Sequence, residues 1–278
     1  MPILKIEQKK TWRRCSARPT AGQAIILCAG LGTRMRPYTD TMPKPMIPIL
    51  GKPMLEWHIE QFKKHGVKEF FINLHYLPEA VKNYFGDGAK WGVKIHYAFE
   101  PTILGTAGGA KQFESNLDDE FFLIYGDTFS LVDYSKMKEA WEKLPADKIG
   151  MQRMKKTDDY ADADVAELDT DGKFIKIHPK PHSEKYPNAY RMRGVFILKK
   201  KILSYVPPNT ADERKRGGIE RSSANVPYEI GKQLLPDIVA RGEAFYSYEC
   251  DDYSKGIDTI EKLKEVEEYL RKSGLENK

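Results

Sequence analysis

The sequence predicts an α/β protein, a mostly parallel mixed sheet with helices on both faces. Three observations carry that prediction. Short continuous apolar runs, the first at residues 23–29, read as strands covered on both sides. Stretches of helical period alternate with those runs through the first half of the chain. Glycine and proline punctuate the joints between them.

The elements follow in order. "QAIILCA" (23–29) is the first strand. "PMLEWHIEQFKKHG" (53–66) opens on Pro, stops at Gly and spaces Leu55, Ile59 and Phe62 as one helical face, most simply a core face. "VKEFFINLH" (67–75) is a strand, "PEAVKNYFGDG" (78–88) a short helix and "VKIHYAFE" (93–100) a strand. "TAGGAKQFESNL" (106–117) is a helix with a glycine-rich start. "EFFLIYGD" (120–127) is an apolar strand ending in Gly-Asp, and "SKMKEAWEKL" (135–144) is a helix. The second half is richer in strands. Residues 164–181 read as a hairpin turning at Asp171-Gly172. Residues 190–200 form a strand, and 207–228 a polar surface loop. A helix over 229–242, a strand over 244–250 and an amphipathic closing helix over 259–274 complete the chain.

Composition excludes several functions. The 278 residues are 41% hydrophobic and 31% charged, suited to a globular body with a substantial core. No apolar run is long enough for a membrane span. The net charge of +5 resides in residues 1–20, which hold six Lys/Arg and the single acid Glu7. The remaining chain is balanced, so a nucleic-acid-binding body is not expected. Residues 1–22 are read as a basic, flexible extension, and 23–274 as one domain. Three scattered cysteines give neither a disulfide framework nor a zinc site, which points to the cytoplasm. The six histidines are spread out and suggest neither a zinc site nor a catalytic triad.

The most informative stretch is "AGLGTRMRPYTDTMPKP". Gly30 and Gly32 follow the first strand, where backbone N–H groups can turn towards phosphate oxygens. Arg34 follows closely, and Lys44 stands between two prolines that stiffen its backbone. A fixed cation there suits charge redistributing on a polyphosphate. The spacing is neither a Walker A loop nor a full dinucleotide fingerprint. Asp127 ends a strand, where a carboxylate faces the ligand crevice of an open α/β sheet. Mg²⁺ takes one or two such carboxylates together with phosphate oxygens and water.

The stretch "AGLGTRMRPYTDTMPKPMIPILGKPMLEW" resembles the signature of the sugar-1-phosphate nucleotidyltransferases, near the mannose-1-phosphate guanylyltransferase and N-acetylmuramate-1-phosphate uridylyltransferase branches. The resemblance implies a Rossmann-like three-layer sandwich with a small β-rich sugar-binding lobe, the nucleotide half over 23–135 and the sugar half with the closing helix over 136–274. It implies that Ala29, Gly30, Leu31, Gly32 and Thr33 line the triphosphate, and that Arg34 and Lys44 are catalytic. Ala29 stands where the family often has Gly. "LGTAG" matches the segment bordering base and ribose, through Leu104, Gly105, Thr106 and Ala107. Asp127 matches the family's metal ligand. The second ligand is less direct: in "YSKGIDTIEKL" the family's usual Asp position is Gly256. Asp258 is taken as the second ligand, with an N-cap role at the following helix as the alternative and Asp252 as the fallback.

On the acceptor side, "IHPKPH" resembles the family's E-K-P segment, with Lys180 at the sugar phosphate and Pro179 in place of Glu. "YRMRGVFIL" keeps Gly194 of the sugar-pocket strand but lacks its Asn. Arg191 and Arg193 share one strand face, which suits either a sugar bearing a second anion or solvent. The expected reaction is NTP plus sugar-1-phosphate giving NDP-sugar and pyrophosphate with Mg²⁺, GTP standing ahead of UTP and CTP. A silent nucleotide-sugar-binding relative and transfer to a non-sugar phosphate remain as alternatives. A homo-oligomer is left open.

Overall fold

A computed structural model describes residues 22–157, 163–182, 185–186, 189–208 and 227–275. The basic extension, apart from residue 22, and most of the polar 207–228 loop lie outside the described residues. Strand β1 (Gln23–Leu27) is wholly buried because parallel neighbours flank it. These are β4 (Glu69–Leu74) on one side and β6 (Glu120–Tyr125) on the other. Beyond β4, β5 (Lys94–Phe99) adds a further parallel edge. Parallel pairing requires crossovers, and the chain supplies them as α2 (Met54–Lys64), α3 (Pro78–Phe85) and α4 (Gly105–Lys111). A short α1 (Tyr38–Thr41) and the small pair β2 (Pro48–Ile49) and β3 (Lys52–Pro53) lie between β1 and α2.

Most strands of the β-rich half extend the same sheet. After β7 (Thr128–Ser130) and α5 (Tyr134–Lys143), β8 (Lys148–Lys156) extends the same sheet. The hairpin of β9 (Val165–Leu168) and β10 (Phe174–His178) joins it, turning through Gly172 as expected. The long β11 (Tyr190–Lys199) connects these parts, antiparallel to β6 and β8 along most of its length and to β9 at its start. After a π-helical turn (Ile230–Leu234) and α6 (Leu235–Ala240), β12 (Ala244–Glu249) pairs parallel with β8. Finally β13 (Ser254–Gly256) leads into α7 (Ile260–Lys272).

Successive β1 residues point to opposite layers. Ala24 and Ile26 pack with Leu55, Ile59 and Phe62 of α2, while Ile25 and Leu27 pack with Ala107 and Ala110 of α4. This is the three-layer arrangement, a mixed sheet between two helical layers. A third cluster seats α7 through Leu263, Val266 and Leu270 on Met35, Trp57 and Phe129. That cluster ties the glycine-loop region to the end of the chain.

Strand β8 was not legible from sequence. "KIGMQRMKK" shows no alternation, because its first seven residues are buried between β11 and β12 and include the fully buried Arg153.

Candidate active site

The carboxyl end of β1 opens a crevice in two lobes. The first encloses about 400 Å³ between residues 27–34, Lys44, the 100–106 segment and Glu229. The second encloses about 830 Å³ over β8, β11 and the 251–258 segment. Arg34, Tyr125, Asp127 and Asp258 line both, so they form the seam between them.

A short antiparallel ladder builds the seam. Strand β13 pairs with β7 so that Gly256 faces Thr128, and Ile257 N–H donates to the Asp127 carbonyl at 2.7 Å. Asp127 and Asp258, distant in sequence, therefore flank the same end of one ladder. Lys44 Nζ donates to Asp127 Oδ2 at 2.8 Å. Arg34 Nη1 lies 2.8 Å from Asp258 Oδ2, and Lys262 Nζ lies 2.7 Å from Asp258 Oδ1. Burial alone would raise the Asp258 pKa, but the bond and charge of Lys262 and the charge of Arg34 hold it below the usual carboxylate range. The N-cap of α7 is Thr259, whose hydroxyl accepts from Lys262 N–H, so Asp258 is left to the crevice. Asp252 instead accepts from Asp133 N–H at 3.1 Å.

The predicted residues separate by lobe. Ala29, Gly30, Leu31, Gly32, Thr33, Arg34, Lys44, Gly105 and Thr106 line the first lobe, while Lys180, Arg191, Arg193 and Gly194 line the second. Leu104 and Ala107 bracket Gly105 and Thr106, and their backbone groups bond to the adjoining wall. Tyr228 N–H donates to Leu104 C=O, and Ala107 N–H donates to Tyr228 C=O. Gly105, at φ +80°, must be glycine here: a Cβ would meet the Tyr228 backbone at 2.6 Å. Glu229 Oε2 accepts from Thr106 N–H at 3.1 Å and from its hydroxyl at 2.6 Å. In turn the hydroxyl accepts from Ile230 N–H at 2.7 Å.

Several residues of this wall carried no signal in the sequence. Asn73 is buried, its Oδ1 accepting from Cys28 N–H at 2.7 Å and its Nδ2 donating to Glu100 Oε1 at 2.7 Å. Glu100 Oε2 accepts from Leu104 N–H at 2.9 Å, which fixes the turn into α4. Burial raises the Glu100 pKa above the carboxylate range. It also pushes the Cys28 thiol up, so Cys28 is a neutral packing group and not a nucleophile. Beneath the seam, fully buried His58 contacts the Gly126 carbonyl through Nε2 at 3.1 Å. Its pKa falls to about 4 because burial disfavours the charged ring.

The donor set suits a hard divalent cation. Asp127 and Asp258 are partly exposed, at 41% and 20%, and both face the crevice. Two carboxylates completed by phosphate oxygens and water are what Mg²⁺ takes. Among the described residues there is no cluster of three or more His, Cys, Asp or Glu that could hold a metal ion.

Comparison with known proteins agrees with this geometry. The family model described as nucleotidyl transferase matches residues 23–252. A UTP–glucose-1-phosphate uridylyltransferase of Synechocystis is 31% identical over 241 residues, covering 82% of this chain and 58% of the relative. A D-glycero-alpha-D-manno-heptose 1-phosphate guanylyltransferase of Campylobacter jejuni is 40% identical over 182 residues, covering 66% of this chain and 78% of the relative. The chain thus spans less than two thirds of the first relative and more than three quarters of the second. The inositol-1-phosphate CTP transferase of T. maritima superposes with a TM-score of 0.71 at 21% identity, over 91% of this chain and 96% of that one. A family match over most of the chain, joined to a crevice whose seam pairs two carboxylates with Lys44, Arg34 and Lys262, places this protein in the nucleotidyl transferase family, among the sugar-1-phosphate nucleotidyltransferases.

Proposed function

We propose that the chain condenses an NTP, GTP first, with a sugar-1-phosphate to give an NDP-sugar and pyrophosphate. The observation that supports this best is the seam, where Lys44–Asp127 and Arg34–Asp258 lie between a glycine-walled lobe and a basic one. Guanylyl transfer is favoured by the two heptose-1-phosphate guanylyltransferases among the relatives, which are 40% and 34% identical.

The chemistry asks little of acid–base groups. A sugar phosphate oxygen, already ionised at neutral pH, attacks the α-phosphorus, and pyrophosphate leaves on the opposite side. The obstacle is bringing two polyanions together in line. The glycine loop cradles the triphosphate, Arg34 and Lys44 take up charge on the departing pyrophosphate, and Lys180 holds the acceptor phosphate. Asp127 and Asp258 would hold Mg²⁺, whose contribution is to neutralise phosphate charge. Lys44 and Arg34, which pair with these carboxylates in the structure, stand at the same seam and would share the charge of phosphates held there.

The test is pyrophosphate release by the pure protein with each of four NTPs and a panel of sugar-1-phosphates. Release is expected with Mg²⁺, GTP giving the highest kcat/KM, and EDTA should abolish it. No release from any pairing refutes the reading, and release unaffected by EDTA refutes the metal assignment.

A further inference from the structure

The sheet carries a second basic concavity, at the end opposite the crevice. It encloses about 430 Å³ between the start of β8, the end of β11 and the turn from α6 into β12. Lys199, where β11 ends, stands opposite Glu120, the first residue of β6. Asp127 lies seven residues further along the chain from Glu120. At the usual strand rise, roughly 20 Å separates this concavity from the seam.

Four cations line it, Lys148, Lys199, Lys201 and Arg241, against two acids, Asp147 and Glu243. Four against two leaves a sum of +2, and the acids are poorly placed to neutralise the rest. Glu243 is spent on Lys201, at 3.0 Å, and on the Tyr205 hydroxyl. Asp147 is exposed and, among the described residues, forms no ion pair. Glu120, across the ladder from Lys199, is turned to Lys138 at 2.6 Å. The other three cations meet neutral groups. Lys148 Nζ donates to the Leu144 carbonyl at 3.1 Å and lies 4.9 Å from the centre of the Trp141 ring. Lys199 Nζ donates to the Ala146 carbonyl at 3.2 Å. The Arg241 guanidinium lies 5.7 Å from the centre of the Tyr205 ring and, among the described residues, donates no hydrogen bond.

Lys148 separates this place from an ordinary lysine-rich surface, because it is only 8% exposed. Burial pulls its pKa below the usual lysine range; Glu120 opposes that fall, and the neighbouring charge of Lys199 adds to it. A crowded pair of ammonium groups and a guanidinium with unspent donors lose repulsion and gain charge-assisted hydrogen bonds when an anion lies between them. The backbone holds these donors in place beforehand. Lys148 pairs with Ala244 across β8 and β12, and Leu198 with Gly150 across β11 and β8. The turn after α6 is closed by Arg241 N–H to the Asp237 carbonyl at 3.2 Å and by Glu243 N–H to the Ile238 carbonyl at 3.1 Å. Donors fixed in advance reduce the ordering cost of binding. They converge from three segments on one concavity and do not follow a track, which suits a compact phosphate and not a polynucleotide backbone. Strands β8 and β11 run on from here into the second lobe, so an occupant would rest on strands that also floor that lobe.

We infer that this concavity is a second anion site, separate from the catalytic crevice, which binds a phosphorylated small molecule through Lys148, Lys199 and Arg241. The experiment is calorimetry on the full chain with EDTA at about 0.15 M salt, titrating inorganic phosphate and pyrophosphate. Pyrophosphate also suits the seam, so each titration is repeated in Arg34→Gln. One binding event, with a Kd of about 1 mM or tighter, should persist in that variant. Lys199→Gln and Arg241→Gln should each weaken the event about fivefold or more, with melting temperatures confirming folded proteins. Lys272→Gln, which removes an exposed cation of α7, should leave it unchanged. The tighter of the two anions tells whether the site takes one phosphate or two. No binding of either anion, loss of every event in a folded Arg34→Gln protein, indifference to both pocket variants, or equal weakening by Lys272→Gln overturns the inference. All of these outcomes leave nucleotidyl transfer untouched, since that reading is tested by turnover.

Discussion

Replacing Lys44 by methionine isolates the charge at the seam. The lysine stem packs against Gly32, with Cβ and Cδ 3.0 and 3.3 Å from where a Gly32 Cβ would stand, and methionine preserves most of that contact. What is lost is the ammonium 2.8 Å from Asp127. Stability should change little. Asp127 is 41% exposed, so water solvates the carboxylate left behind and the loss stays under about 1 kcal/mol. That corresponds to a melting shift of about 2–4 °C. Catalysis should change far more. A fixed donor aimed at charge developing in the transition state contributes about 3–4 kcal/mol, so kcat should fall about 10²- to 10³-fold. A coupled pyrophosphate assay at saturating NTP, with parallel thermal melts, separates the two effects. Turnover within tenfold of the parent, in a protein that melts normally, would remove Lys44 from the reaction.

Other expectations test the supporting shell. Gly194→Ala drives a methyl to 2.4 Å from the Tyr125 ring, and should cost about 1–3 kcal/mol in urea unfolding while raising KM for the acceptor more than for the nucleotide. Thr106→Val removes the hydroxyl linking Glu229 to Ile230 N–H, with an expected loss of about 1–2 kcal/mol in the same assay. The folded-state pKa of His58 lies near 4, below its ordinary value, so the unfolded chain binds the extra proton first. Its contribution is whole above about pH 6.5 and is lost as pH falls towards 4. Denaturation at pH 7 and pH 5 should show the decline, and His58→Gln should flatten it.

What the sequence disclosed was mostly local. The parallel strands, the α2 face and the glycine loop are each written in adjacent residues, because period and turn chemistry are short-range properties. Arg34, Lys44 and Asp127 were recognisable for the same reason, each sitting beside a strand end or a proline pair. Strand β8 was not, because a strand buried on both faces and carrying Arg153 looks like neither period. Nor were Asn73, Glu100 and Glu229. Glu229 acts only by meeting Thr106, 123 residues earlier, and Asn73 by meeting Cys28 and Glu100, 45 and 27 residues away. Leu104 and Ala107 are met in the structure through their backbone bonds to Tyr228, partners that a motif match cannot name.

The β7–β13 ladder has a bearing on biogenesis. Until the last strand emerges and zips onto its partner, the chain owns only half of its carboxylate pair, however well the front sheet has already formed. A truncated product ending before Tyr253 would lack Asp258 and also the apolar face that Leu263, Val266 and Leu270 lay against Met35, Trp57 and Phe129, so the glycine-loop region would lose its packing along with the seam.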